Sequence, residues 1–208
     1  METIALIGSG GHCKSCIDVI EASNQYSIAG VVVPSDSADI GRSSQHYPII
    51  GTDDDLEKII SVSKHVLIAI GQLGRGSIRA SIYERVFNTG AVLPIIVSPF
   101  AHVSRLSAVG GGTIVMHMAL VNSGATIGTN CIINSMALVE HDVVIGNNVH
   151  IATGARVNGN VDIGSNTFIG SGTIVKQGVS IGDNTIISAG QFIQTDIPGN
   201  SIVGICDG

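Results

Sequence analysis

Charged side chains are scarce in this chain, and positively charged ones are the scarcest. Only 12% of the 208 residues are charged, the formal net charge at pH 7 is −6, and the 10 Lys and Arg residues form no cluster. Nucleic acids are bound by clustered Lys and Arg, so we expect no nucleic-acid partner. No apolar run approaches the roughly twenty residues that span a bilayer, and the Met1-Glu2 start lacks the features of a signal peptide. We therefore expect a cytoplasmic protein that binds no membrane.

Cysteine is too rare for a disulfide framework. The four cysteines stand at positions 13, 16, 131 and 206, and only Cys13 and Cys16 are close in sequence. A C-x-x-C pair can be a redox centre, but this one follows a glycine-rich turn where a helix should begin. A chance pair of reduced thiols is the favoured interpretation, and we expect no disulfide.

A six-residue repeat fills half of the chain. β-Branched aliphatic residues recur at every sixth position from Val97 to Ile193, and the position four residues after each is almost always small or β-branched. This period fits neither an amphipathic helix nor independent hairpins, and it is typical of parallel β-helices, whose stacked coils bury a shared core. Hexapeptide arrays resemble the left-handed β-helix family, with eighteen residues in each triangular coil. We expect the array to reach about Ile197 and to end at Pro198-Gly199.

The residues before the array alternate between strand and helix patterns, which predicts a small parallel α/β sheet. Three aspartates at 53–55 can cap the second helix, and Pro34 to Gln45 has the composition of a loop. We expect two domains, residues 1–97 and 98–208. The strands are predicted at 2–7, 26–33, 65–71 and 91–97, and the helices at 13–23, 56–62 and 77–88.

A glycine-rich turn, Gly8-Ser9-Gly10-Gly11-His12, follows the first predicted strand and opens the first helix. Such a turn presents backbone N–H groups and a helix dipole to a phosphate. The dinucleotide fingerprint is incomplete, because Cys13 replaces the third glycine and no acidic residue ends the second strand. We predict a smaller phosphate-bearing ligand, such as a nucleotide-sugar, in a Rossmann-like domain. His12 either donates to the phosphate or stands exposed at the helix start.

A polar cluster interrupts the repeat array. Val139 and Val143 are the inward pair of one hexapeptide, so the intervening Glu-His-Asp faces outward near a corner of the prism. A histidine beside a carboxylate can act as a general base. His150 also points outward, half a coil from His141, so the two histidines should lie on different sides and cooperate only across a subunit interface.

Two further features of the array have more than one interpretation. Gly154, Gly172 and Gly190 recur at intervals of eighteen, either as a groove for an extended pantetheine arm or because the turns require glycine. The array resembles β-helical carbonic anhydrases in fold, but the spacing of its histidines does not match theirs, so we expect no metal. The remaining histidines are expected to be structural or solvated, namely His46, His65, His102 and His117.

Over nearly its whole length the chain resembles a family of sugar acyltransferases. They are typified by bacterial UDP-amino-sugar N-acetyltransferases of the bacillosamine and perosamine type and by sialic acid O-acetyltransferases. The matching motifs are G-S-G-G-H at 8–12, I-A-I-G at 68–71, S-I-R-A-S-I-Y at 77–83, I-N-S-M-A-L-V-E-H-D-V-V-I-G at 133–146 and H-I-A-T-G-A at 150–155.

The resemblance implies a homotrimer with acetyl-CoA in the cleft between neighbouring β-helices and a nucleotide-linked sugar on the N-terminal domain. It implies that His141 is the general base, that Asp142 is its carboxylate partner, and that His150 lies near the acetyl carbonyl. The remaining implied site residues are Gly159, Ser171 and Ala189 for acetyl-CoA, and Gly10, Gly11, His12, Gly71 and Asn134 for the sugar substrate.

Three departures from the family pattern leave the nucleotide and the acceptor open. They are Pro34-Ser35-Asp36 after the second strand, the insertion Leu73-Gly74-Arg75-Gly76, and the ending Gly204-Ile205-Cys206-Asp207. We expect single-step acetyl transfer to an amine of a UDP-linked sugar for surface glycan synthesis, with an oxyanion donor from His150 or a backbone N–H. An O-acetyltransferase acting on a sialic or related nonulosonic acid is the alternative.

Two other classes account for less of the sequence. A non-catalytic β-helical scaffold would explain the repeats but neither the glycine turn nor the outward Glu-His-Asp. A nucleotidyltransferase with a β-helical tail would need a larger catalytic domain and a basic nucleotide loop.

Overall fold

The structure, a computed structural model, describes residues 1–37, 43–44, 46–74 and 77–204. Several predicted features lie outside the described residues: Arg75 and Gly76 of the insertion, the Ile205-Cys206-Asp207 ending with the fourth cysteine, and part of the Pro34–Gln45 segment.

The N-terminal residues form the predicted small α/β domain. Its sheet has the order β3-β4-β2-β1-β5, and every pairing is parallel except that of β3 with β4. The elements are β1 (Glu2–Ile7), α1 (Gly11–Ser23), β2 (Tyr26–Val33), β3 (Ser43–Ser44), β4 (Tyr47–Thr52), α2 (Leu56–Val62), β5 (His65–Ile68) and α3 (Ser77–Asn88).

Details of this domain differ from the sequence prediction. β4 was not predicted, and β3 lies inside the expected loop. The expected strand at 91–97 forms only in part: Val92 makes an isolated bridge to His65, Pro94 has no N–H with which to continue that ladder, and Ile96–Val97 pairs with the β-helix instead. Asp55 precedes α2 without capping it, since its carboxylate instead accepts hydrogen bonds from the N–H and the hydroxyl of Thr52.

The rest of the chain is the predicted parallel β-helix of two-residue strands. Its strands are β6 (Ile96–Val97), β7 (His102–Val103), β8 (Ala108–Val109), β9 (Ile114–Val115), β10 (Leu120–Val121), β11 (Thr126–Ile127), β12 (Ile132–Ile133), β13 (Leu138–Val139), β14 (Val144–Ile145), β15 (His150–Ile151), β16 (Arg156–Val157), β17 (Asp162–Ile163), β18 (Phe168–Ile169), β19 (Ile174–Val175), β20 (Ser180–Ile181), β21 (Ile186–Ile187), β22 (Phe192–Ile193) and β23 (Ile202–Val203).

These strands stack into three faces of a prism. The first face carries β6, β9, β12, β15, β18, β21 and β23; the second carries β7, β10, β13, β16, β19 and β22; the third carries β8, β11, β14, β17 and β20. Strands pair with the strand one coil away, as Leu120 pairs with Leu138, eighteen residues later. The array runs beyond its expected end, because β23 follows Pro198 and pairs with β21.

The inward residues of the repeat form one continuous core. Val121, Val139 and Val157 are fully buried, and Cys131 lies in the same cluster, as the repeat register predicted. Because each apolar side chain packs on its equivalent in the next coil, no coil buries its inner face alone.

One corner of the prism carries a ladder of asparagines. Asn130, Asn148, Asn166 and Asn184 all adopt positive φ, between 54° and 59°. The Nδ2 groups of Asn130, Asn148 and Asn166 each donate to Oδ1 of the asparagine one coil later, at 2.8 to 3.2 Å. Asparagine tolerates the left-handed conformation, and its side chain links successive coils here, which explains the residue type at this corner.

The N-terminal domain packs on the first face. Cys13, Cys16 and Ile17 of α1 share a buried cluster with Ile114 and Ile132 of the β-helix. This contact fixes the opening of the glycine turn relative to the prism. Within the described residues, no helix has the length and apolar character needed to cross a membrane.

We predict that Asn148→Ala destabilises the β-helix by roughly 2–4 kcal/mol, because it loses two side-chain hydrogen bonds and forces alanine to positive φ. Asn148→Gly loses the same bonds without the steric strain and should be about 1 kcal/mol more stable than the alanine variant. Denaturant unfolding of the two variants beside the wild type measures both quantities, and equal stability of all three would contradict the role of the ladder.

Candidate active site

A pocket of about 850 Å³ opens where the two domains meet. The glycine turn at 8–11 and the residues after β5 form one wall, and Asn134, Ser135, His150 and Thr153 of the β-helix form the other. We call it the interdomain pocket. All five residues predicted to bind the sugar substrate lie in its wall, namely Gly10, Gly11, His12, Gly71 and Asn134.

The glycine turn has the geometry of a phosphate site. Gly8 has φ +115°, and a Cβ there would lie 2.9 Å from Cγ1 of Ile70, so only glycine fits. Gly10 precedes α1, and no acidic residue stands in the first helical turn. The first N–H groups of a helix have no partner within it and carry the positive end of its dipole. The turn therefore offers donors and partial positive charge to an anion in the pocket.

His150 points out of the prism, as predicted, but the N-terminal domain covers it and leaves 6% exposed. Its Nδ1 lies 2.8 Å from the Gln72 carbonyl oxygen, so this nitrogen carries the proton and donates. Its Nε2 then accepts from Nδ2 of Asn134 at 3.0 Å. Both ring nitrogens are engaged in this wall, which leaves neither to donate to an oxyanion. The predicted contact of His150 with acetyl-CoA stays a prediction.

Burial keeps both histidines of the interdomain pocket neutral. Together with the positive charge of the nearby Arg79, it lowers the pKa of His12 to about 3. Burial likewise lowers the pKa of His150 to about 4, opposed by the hydrogen bond to Gln72. At neutral pH the pocket therefore contains uncharged imidazoles, and His12 is part-buried instead of exposed.

The predicted base and its carboxylate form a pair at the corner between the second and third faces. Nδ1 of His141 lies 2.9 Å from Oδ2 of Asp142, and both side chains are about half exposed, at 48% and 61%. A proton on Nδ1 leaves Nε2 as a free base. Glu140 does not touch the imidazole; its carboxylate accepts from Asn122 Nδ2 and from the His141 backbone N–H.

The eighteen-residue coil makes room for this pair. Gly159 lies one coil after His141, and a Cβ on it would be 2.6 Å from His141 Nε2 and Cε1. Gly124 lies one coil before Asp142, and a Cβ there would be 2.4 Å from its carboxylate. The imidazole thus packs against a glycine, and both residues line the same surface cleft.

A second cleft, of about 610 Å³, begins at His141 and runs along the second face. We call it the His141 cleft. Glu140, Asn158 and Gly159 line one end, and Ile174, Lys176 and Phe192 line the rest. Of the three residues predicted to bind acetyl-CoA beside His150, only Gly159 lines this cleft. Ser171 and Ala189 are exposed at the opposite edge of the second face, where their role stays a prediction.

The two candidate sites occupy different corners of the prism. The turn with Asn134 and Ser135 joins β12 to β13, whereas the turn with His141 joins β13 to β14. One face of the prism therefore separates the interdomain pocket from His141, and the structure confirms that His141 and His150 lie on different sides.

The stacked glycines adopt the turn conformation that favours glycine. Gly154, Gly172 and Gly190 have φ of 66° to 70°, and each N–H already donates to a carbonyl of the preceding coil. The interpretation that these turns require glycine is confirmed. Because the N–H groups are already used, a groove for a pantetheine arm could use only the open space beside the glycines.

The cysteines are buried and unpaired where the structure describes them, at 13, 16 and 131. Burial raises the pKa of the Cys13 and Cys131 thiols to about 11 and that of Cys16 further still, so none is an activated thiolate. A redox role for the C-x-x-C pair receives no support.

His117 is a structural histidine. Its Nδ1 lies 2.6 Å from Ser98 Oγ and its Nε2 lies 2.8 Å from Asp18 Oδ2, which links the first coil to α1. Across the described ranges, no three His, Cys, Asp or Glu side chains converge as metal ligands.

The chain matches two family descriptions. Residues 3–86 match the PglD N-terminal domain, and residues 160–194 match the hexapeptide repeat of succinyl-transferase. A comparison with curated proteins gives no match.

Two solved structures are similar over almost the whole chain. The acetyltransferase domain of PglB from Neisseria gonorrhoeae FA1090, in complex with acetyl coenzyme A, is 32% identical with a TM-score of 0.86, covering 95% of this chain and 93% of that one. The chain belongs to the left-handed β-helix family of sugar acetyltransferases. It is thus an acyltransferase. PerB from Caulobacter crescentus, in complex with CoA and GDP-perosamine, is 29% identical with a TM-score of 0.88, covering 97% and 93%.

A third solved structure shares the fold. WeeI from Acinetobacter baumannii AYE is 22% identical with a TM-score of 0.80, covering 98% of this chain and 97% of that one.

Sequence reasoning missed two residues of the interdomain pocket. Gln72 holds His150 through its carbonyl oxygen, and Arg79 lies buried directly behind the wall. Arg79 stands inside a motif quoted for the resemblance, but an arginine on an amphipathic helix gives no sign from sequence that it is buried.

We predict that acid weakens the fold through the two neutral histidines. In the unfolded chain these histidines bind protons below about pH 6.5, whereas in the folded protein they do so only at about pH 3–4. The free energy of unfolding therefore falls as the pH decreases from about 6.5 to about 4. Each histidine contributes a slope of up to about 1.4 kcal/mol per pH unit. Urea unfolding of His150→Gln between pH 6 and 4.5 should therefore show a shallower slope than the wild type. His102→Gln, at an exposed histidine, is the matched control, and equal slopes for wild type and His150→Gln would contradict the assignment.

Proposed function

We propose that this protein transfers the acetyl group of acetyl-CoA to the amino group of a nucleotide-linked sugar. The observation that carries the proposal is the His141–Asp142 pair, whose free Nε2 faces a cleft over Gly159. The family membership supports acetyl-CoA as the donor, as does the PglB complex. The GDP-perosamine bound to PerB supports a nucleotide-sugar as the acceptor.

The acceptor binds in the interdomain pocket with its diphosphate on the glycine turn. The turn supplies backbone N–H donors. The nucleotide base lies in the space bounded by the end of β2, the end of β4 and helix α3, against Val33, Ile78 and Ile82. Asn134 and Ser135 close the pocket at the prism, where the sugar would lie. A UDP-linked amino sugar is the proposed acceptor; GDP is the competing nucleotide.

Acetyl-CoA binds along the His141 cleft. Ile174 and Phe192 offer apolar surface to the pantetheine arm, and Lys176 offers positive charge to a phosphate. The thioester then lies beside His141. The Gly159 N–H has no hydrogen-bond partner among the described residues and stands beside the imidazole, which makes it the proposed donor to the developing oxyanion.

The reaction is a direct attack of the amine on the thioester carbon. Nε2 of His141 removes the proton that the amine loses as the new C–N bond forms, and Asp142 stabilises the resulting imidazolium. The C–S bond breaks, and the CoA thiolate leaves with a proton from the medium or from His141. The buried cysteines take no part, so no acyl-enzyme forms.

The separation of the two sites argues for a homotrimer. Because one face of the prism separates His141 from the interdomain pocket within a chain, the pocket of one subunit would serve His141 of its neighbour. The exposed apolar residues Met118, Met136 and Val144 on and beside the second and third faces are available for such packing.

The test is thiol release from acetyl-CoA with a panel of acceptors. UDP-4-amino sugars, GDP-perosamine, CMP-sialic acid and free sialic acid are compared with purified protein. Release with a nucleotide-linked amino sugar supports the proposal, and the nucleotide that works decides between UDP and GDP. Release with sialic acids alone would instead identify an O-acetyltransferase, and release with none would contradict acetyl transfer to sugars.

We predict that His141→Asn lowers kcat by two to four orders of magnitude, the usual contribution of a general base, and leaves the Kd of CoA nearly unchanged. Gly159→Ala should lower kcat as well, because its methyl group meets the imidazole and displaces Nε2. Steady-state kinetics and calorimetric CoA binding measure both effects. Full activity of His141→Asn would rule out His141 as the base.

A further inference from the structure

Arg79 of α3 is a buried cation without a carboxylate partner. Only 1% of the residue is exposed. Its Nε donates to the Asn130 carbonyl oxygen at 3.2 Å, and its Nη1 donates to the carbonyl oxygen of Ile70 at 2.8 Å and to that of Ile68. Nη2 is buried with no hydrogen-bond partner. In the part of the chain that the structure describes, no Asp or Glu forms an ion pair with it.

Such a charge is expensive to bury. Carbonyl dipoles offset part of the cost of removing a guanidinium from water, but a buried ion without a counter-charge still destabilises the fold. A neutral side-chain donor could also hydrogen-bond to carbonyl oxygens, so these bonds alone do not explain a positive charge at this position. A positive charge at this position therefore points to an anion that is present when the ligand is bound.

The anion site lies directly across the wall. Ala69, Ile70 and Gly71 line the interdomain pocket, and Nη1 of Arg79 binds the Ile70 carbonyl from behind. The glycine turn touches the same residue, since a Cβ on Gly8 would lie 2.9 Å from Ile70 Cγ1. Ile70 thus lies between the guanidinium, which binds its carbonyl oxygen, and the turn proposed to hold the phosphates.

The pocket has no other cation that could fill this role. No Lys or Arg is present among the described residues that line it, and Asp53 contributes a negative charge. Its two histidines are held neutral, and the charge of Arg79 reaches both of them. A ligand with two phosphates would otherwise meet only backbone donors.

We propose that Arg79 is the counter-charge of the nucleotide diphosphate, acting through the pocket wall without touching it. This inference rests on the proposed nucleotide-sugar acceptor. Because the space between the guanidinium and the pocket is protein and not solvent, the attraction is screened less by water and salt than that of a surface lysine. Arg79 is a positioning residue for binding and takes no part in acetyl transfer.

The test compares variants that separate charge from shape. Arg79→Lys keeps the charge, whereas Arg79→Met and Arg79→Gln remove it; the glutamine retains a donor for the Ile70 carbonyl and serves if the methionine variant fails to fold. Calorimetry measures the Kd of UDP and GDP and of the matching nucleosides uridine and guanosine. CoA binding at the separate His141 cleft checks that each variant is folded. Arg105→Met, at an exposed arginine, controls for the change in net charge, and Arg75→Met tests the arginine outside the described residues.

We expect the neutral variants to bind the diphosphate roughly tenfold or more weakly, with nucleoside affinity nearly unchanged, and Arg79→Lys to stay close to the wild type. Equal losses for diphosphate and nucleoside would overturn the proposal and leave Arg79 a purely structural residue. Loss in Arg75→Met but not in the Arg79 variants would also overturn it. A wild type that binds neither UDP nor GDP would contradict the nucleotide-sugar acceptor itself, and the counter-charge with it.

Discussion

The eighteen-residue coil decides which side chains meet in this protein. From β6 to β22 each strand pairs with the strand one coil away, so a residue lies over its equivalent eighteen positions earlier or later. That constraint builds the apolar core from the inward positions and the asparagine ladder from one corner. It also places His141 over Gly159 and Asp142 over Gly124, which gives the imidazole and its carboxylate room to pair. The proposed base on the outside of the prism is positioned by the same stacking that stabilises the interior.

Docking of the N-terminal domain on the first face adds the second half of the site. The α1 helix shares a buried cluster with the β-helix, and His150 bridges the domains through Gln72 and Asn134. Arg79 adds a third link, because it donates to Asn130 at the prism while Asn130 Nδ2 reaches back to the Arg79 carbonyl. Because of these contacts His150, which faces outward from the repeat array, is buried and neutral in the wall of the interdomain pocket.

Much of the fold was predictable because the six-residue period is a direct consequence of burial. The inward positions, the outward Glu-His-Asp and the phosphate turn all follow from register and local geometry. The polar features that depend on docking were not predictable: the covered His150, the buried Arg79 and the link of His117 to Asp18 join residues far apart in sequence. The break in the strand expected at 91–97 has a local cause, since Pro94 ends the ladder that Val92 begins, and Ile96–Val97 pairs with the β-helix.

The candidate site residues predicted from the sequence form two groups in the structure. Gly10, Gly11, His12, Gly71 and Asn134 lie together in the interdomain pocket, whereas His141, Asp142 and Gly159 lie at another corner of the prism. Half a coil of separation between His141 and His150 already implied this division. The nucleotide remained open because Val33, Ile78 and Ile82, the residues proposed to lie against the base, are apolar and have no side-chain hydrogen-bonding group that distinguishes one base from another.

The central claim is that the pocket of one subunit serves His141 of the next, and subunit complementation tests it most directly. His141→Asn leaves the pocket intact, and Gly8→Val blocks the glycine turn, where a Cβ meets Ile70 and the Ala69 backbone. Each variant alone should be inactive. If sites form between subunits, trimers of the two variants mixed at random should regain about a quarter of wild-type activity, since that share of sites combines an intact pocket with an intact base. Mixed trimers that stay inactive would contradict the account and place both halves of the site within one chain.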